Sequence, residues 1–232
     1  MCTAQIERLK TQPDHGDLKP LGDRGINSAL IGPVSAACGG LKVDHKGFVY
    51  VGLNLFPDGY KPPAGFENDG AYLGNIGSVV KFKPEGGGLP KGKRDRLADY
   101  EGVAQVYPGF GSFSGSAGSD KYPGGCVCRS PRFDLDAYGR LVIPNTCTFE
   151  VKVLDNSGNE ICAFGHYGNF DSQWAPEGTK DAKPLVDKPD IPLGWPLSAG
   201  ASERKIYVGD LYNRRIVRVD KRFAAEETCE VK

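Results

Sequence analysis

The side chains able to do metal, redox or acid–base chemistry are few: seven cysteines and three histidines in a chain of 232 residues. Zinc takes about four sulfur or nitrogen ligands, with paired ligands usually about two to four residues apart. Cys126 and Cys128 form a Cys-x-Cys pair, tighter than that spacing, which makes a zinc knuckle a weak reading. Among the histidines, His15 lies in a turn cluster and His45 in an Asp-His-Lys-Gly turn, where it reads as solvated. His166, beside Tyr167, is the better candidate for binding or base work, although a lone histidine in a glycine-rich link is commonly structural.

Motifs with a fixed mechanism are absent. There is no Walker loop, no dinucleotide fingerprint after a strand, no Gly-x-Ser-x-Gly elbow and no Cys-x-x-Cys-His haem attachment. Lys91, Lys93, Arg94 and Arg96 make a short basic run interrupted by Asp95, which reads as a solvated loop, and nucleic acid is not expected as a partner. Lysine plus arginine balance aspartate plus glutamate at 29 each, so no global field recruits a polyanion.

The elements that must position these residues are strands. In Arg132 to Phe164, Phe133 and Leu135 alternate with Asp134 and Asp136, and an Asp-x-x-Gly turn leads into Leu141, Val142 and Ile143. Phe149, Val151 and Val153 alternate in a third strand, and Asp155 to Asn159 turns into a fourth holding Ile161, Ala163 and Phe164. Four antiparallel strands in about forty residues match one propeller blade. The same ruler fits Gly39 to Gly52 through Asp44 and Gly47, followed by a third strand at Ser78 to Lys83 and a fourth at Val103 to Tyr107. It fits again from Trp195 to Val231, with central strands at Arg204 to Asp210 and Arg215 to Asp220 and a last strand at Glu226 to Val231. The 32 glycines and 17 prolines suit many short strands and long turns.

The reading is therefore all-β: a β-propeller of four-stranded antiparallel blades at about 38–107, 132–164 and 195–231, within a segment spanning 38–232. Residues 1–37 form an N-terminal extension or partial blade. Asp210-Leu211-Tyr212-Asn213-Arg214-Arg215-Ile216-Val217-Arg218-Val219-Asp220 resembles the core of an NHL repeat, and Asn145 to Asp155 keeps that spacing with Phe149 where Arg214 stands. Phe164 to Phe170 is similar to the glycine-rich link between NHL blades. The resemblance implies a six-bladed ring, of which three blades are visible. The remaining blades, a second copy, or degenerate blades in residues 1–37 and the loops must then close the ring; a chain that is part of a larger polypeptide is the expectation.

Propeller geometry brings the link between blades and the second-to-third-strand loop to one end. That end gathers the insertion Asn54 to Gly77, the links Pro108 to Pro131 and Gly165 to Pro192, and the loop Asn145 to Thr148. It also collects Cys38, Cys126, Cys128 and Cys147, so a disulfide from Cys126 or Cys128 to Cys147 is preferred over a metal held by Cys126, Cys128 and Cys147. No cofactor is predicted, with zinc or calcium the ions left open. The cysteines lean the reading towards an exported, extracytoplasmic protein, although Met1 to Gln5 has no signal-peptide pattern, and no run of residues is apolar enough to span a bilayer.

Function follows from the loops. The expectation is a binding or scaffold module that recognises a protein, peptide or glycan through Phe56, Tyr60, Phe66, Tyr72, His166, Tyr167 and Trp174, with Trp195 nearby. The alternative is a metal-assisted lyase or hydrolase on the propeller axis. Lyases of related build use several axial histidines, a pattern these positions do not reproduce. Gluconolactonase-like propellers use an axial carboxylate with asparagine and aspartate, for which Asn145 and Asp210 are the nearest offerings. Asp210 is read first as held by Arg214 or backbone amides.

Overall fold

Three Asp-x-x-Gly turns set the frame. A computed structural model describes residues 2–5, 30–34, 39–84, 97, 100, 102–111, 131–169, 189–222. In each turn an aspartate Oδ1 accepts two backbone amides, at Asp44 from Lys46 and Phe48, at Asp136 from Tyr138 and Arg140, and at Asp155 from Ser157 and Asn159. The glycines Gly47, Gly139 and Gly158 have positive φ, as such turns demand.

The first turn joins β3 (Leu41–Val43) to β4 (Val49–Leu53), which pairs with β5 (Ile76–Phe82) and then β6 (Val103–Gly111). The result is a four-stranded antiparallel meander, sheet 1. Sheet 2 is the meander β7 (Asp134–Leu135), β8 (Leu141–Asn145), β9 (Glu150–Leu154) and β10 (Glu160–Phe164). A short parallel pair, β11 (His166–Tyr167) with β12 (Pro192–Leu193), leads to sheet 3, made of β13 (Pro196–Ala201), β14 (Lys205–Asp210) and β15 (Arg215–Asp220). Near the N-terminus, β1 (Cys2–Gln5) pairs with β2 (Leu30–Val34). The chain is thus predominantly β, built of small sheets, and none of the described sheets closes on itself. The expected strand Glu226 to Val231 lies outside the described residues.

Alternation along the strands decides how the sheets stack. In β8, Leu141 and Ile143 face sheet 1 in one core with Tyr50, Val79, Tyr107 and Phe110. Val142 points the other way and joins Val151 and Val153 against Ile206, Val208 and Leu193 of the sheet 3 side. Each sheet therefore has a back, towards the preceding sheet, and a front, towards the next. The back of sheet 1 is buried as well, with Leu97 and Tyr100 packed against Val49, Val51, Leu53, Val80 and Phe82.

Polar ties cross the stack close to the tight turns. Asp134 bonds Lys42 of β3 at 2.9 Å and the amide of Ala201 in β13 at 2.8 Å, so the first strands of all three sheets meet. Arg132 forms a parallel bridge with Ser198, bringing the lead-in to β7 alongside β13. At the turn end, the Tyr107 hydroxyl donates to the Asn156 carbonyl at 3.1 Å and burial pushes that hydroxyl up to about 12.

Two features differ from the sequence reading. β6 runs on past Tyr107 to Gly111, because its last residues pair with Ile76 and Gly77. The insertion also contains a helix, α1 (Gly70–Asn75), opened by Asp69, whose side chain accepts the Tyr72 amide at 3.0 Å.

Candidate functional site

The loop end is organised by two matching clamps. Asn145 and Asp210 are the last residues of β8 and β14, and each is opposite the first residue of the following strand, Glu150 or Arg215. Both side chains are buried and point back to the incoming link. Asn145 Oδ1 accepts the amides of Gly111 and Cys147, at 3.2 and 3.1 Å, while its Nδ2 donates to the Gly109 carbonyl at 2.9 Å. Asp210 Oδ1 accepts Gly194 and Trp195 amides, both at 2.9 Å, and its Oδ2 accepts Asn213 Nδ2 and Arg215 Nε. The aspartate is held by backbone amides as expected, but its guanidinium partner is Arg215 and not Arg214. Arg214 instead stands with φ +50°, as Phe149 does with φ +59° at the matching place in sheet 2. That shared left-handed residue lets a short loop return into the third strand.

In sheet 1 the corresponding loop is the insertion, which folds over the junction of sheets 1 and 2. Cys147 packs against the cluster of Tyr72, Leu73 and Ile76 together with Phe56, Tyr60 and Phe66. A Cβ on Gly111 would collide with Cys147 Sγ, so only glycine permits this approach. Tyr60 and Tyr72 bring their hydroxyls to 3.4 Å, and burial, reinforced by Tyr60, raises the Tyr72 hydroxyl far above its ordinary value. Tyr72 is only 5% exposed, so α1 turns its ring into the insertion's own core. Phe56, Tyr60 and Phe66 are half-buried around it, with Phe56 on Tyr60 at 5.6 Å and Phe66 on Tyr72 at 4.6 Å.

Two further aromatic pairs continue the same end. Tyr167 is exposed and meets Phe149 edge-on at 4.8 Å; His166 beside it is exposed too. Trp195 packs on Tyr212 at 5.1 Å, and Tyr212 is 58% exposed. Asn213 joins these pairs by donating to the Gly168 carbonyl at 2.9 Å. Neither Phe149 nor Tyr212 was picked out as a contact residue from the sequence. Their signal was the repeat alignment itself, since both lie in the loops that follow a clamp residue. Trp174, Cys126, Cys128, Cys38 and His15 lie outside the described residues.

Chemically the end offers aromatic faces framed by amides and an imidazole. Cys147 is a free thiol pushed up to about 11 by burial, and Cys162 is free and exposed on β10. Cys126 and Cys128, the partners of the disulfide expected at Cys147, lie outside the described residues. Among the described residues no three of His, Cys, Asp and Glu are grouped to hold a metal ion. The oxygens of Asn145 and Asp210 are already engaged by the protein's own donors. Among the described residues no helix is long and apolar enough to cross a membrane.

Compared with models of protein families, the chain matches none, and compared with curated proteins it again finds no match.

Proposed function

We propose that this chain is an NHL-type β-propeller segment that serves as a binding or scaffold module, recognising a protein, peptide or glycan through its loop end. What supports the propeller reading is the stacking of successive meanders front to back, with the first strands of all three sheets adjoining through Asp134. Further blades or a second copy complete such a ring.

The observation that carries the binding reading is the series of aromatic pairs at one end: Phe56 with Tyr60, Phe66 braced on the buried Tyr72, Phe149 with Tyr167, and Trp195 with Tyr212. Rigid aromatic rings give large contact area at low entropic cost, and they sit here on loops clamped to a β scaffold. Tyr138, exposed at the opposite turn end, provides an internal control.

Screening of the full chain against displayed peptides and immobilised glycans is the test. Binders should lose about tenfold or more in affinity when Phe66, Tyr167 or Tyr212 is changed to alanine, the loss expected of a hot-spot residue, and be unaffected by Tyr138→Ala. Binders that respond only to Tyr138→Ala would place recognition at the other end and overturn the reading.

A further inference from the structure

We draw no further inference here: the strongest candidate, the hollow between sheets 2 and 3 lined by Val153, Ile161, Phe164, Ile206 and Val219 together with Arg222, adjoins the chain that follows Arg222 outside the described residues, so nothing in the structure shows what covers it.

Discussion

Lys221 Nζ lies 3.1 Å from Asp136 Oδ2, and the two side chains are 4% and 1% exposed. Lys221 follows β15 in sheet 3 while Asp136 opens the first turn of sheet 2, so this buried pair ties one sheet to the next. Arg140 adds its Nε and a second nitrogen to the same oxygen, both at 2.7 Å. Removing one partner of such a group strands a buried charge, a loss of about 3–5 kcal/mol. Asp136→Ala should therefore lower the urea midpoint sharply. Lys221→Met should cost less, because Arg140 still neutralises the carboxylate.

The same carboxylate makes stability depend on acid. Burial acts to raise the Asp136 pKa, but the bonds from Arg140, Lys221 and the Tyr138 amide outweigh it and hold the group below the usual range. A carboxyl lowered in the folded state stabilises above its unfolded value of about 3.9 and loses that contribution as pH falls towards the folded value. Asp155 is lowered as well, by the bonds from Asn159, and Asp220 by Lys205, but the first is half-buried and the second exposed. Urea titrations from neutral pH to below 4 should show a steeper acid loss in the wild type than in Asp136→Asn. Equal slopes would mean that the buried triad does not govern the acid limb.

These turns were legible in the sequence because their chemistry is local: an aspartate, two free positions and a glycine suffice to dictate them. The equivalence of Phe149 and Arg214 was legible from spacing alone, and their shared positive φ bears it out. The helix α1 was not, since six residues are too few to show a helical period, even though Asp69 stood at its start as a capping residue. Tyr72 was expected at the surface for the same reason; only the helix turns it inward. What covers each sheet face was also hidden, because the same alternation describes Tyr50 beneath sheet 2 and Tyr207 in solvent.

Arg214 invites a backbone test. At φ +50° an L-residue is strained by roughly 1–2 kcal/mol, which glycine avoids at a cost of about 0.5–1 kcal/mol in chain entropy. Arg214→Gly should leave the thermal midpoint unchanged or slightly higher, and Arg214→Val, with a branched Cβ, should lower it. Equal destabilisation by both would point to a side-chain role for Arg214.

The two free thiols should differ in reactivity. Burial pushes Cys147 up to about 11, so at pH 8 only about one molecule in a thousand carries its thiolate. Cys162 is raised as well, by burial and then Glu160, but it is exposed on β10. Iodoacetamide followed by peptide mass mapping should find Cys162 alkylated in the native protein and Cys147 only after denaturant. Rapid native labelling of Cys147 would show that the insertion opens readily over the junction of sheets 1 and 2.

The clamps give the sharpest discrimination, because they solve one problem with different side chains. Asp210 faces only donors: two amides, Asn213 Nδ2 and Arg215 Nε. Asn145 faces two donors and the Gly109 carbonyl, so one of its atoms must donate. Asn145→Asp would set a buried carboxylate against that carbonyl, and Asp210→Asn would set an amide nitrogen against a donor. Each substitution should therefore cost about 1–3 kcal/mol despite near-identical shape. Leu53, at the matching place in β4, is buried among apolar side chains, so Leu53→Asn should be as damaging. The check is the urea midpoint of the three variants. A tolerated Asn145→Asp would mean that the Gly109 carbonyl finds another donor and that the clamp is less selective than its geometry.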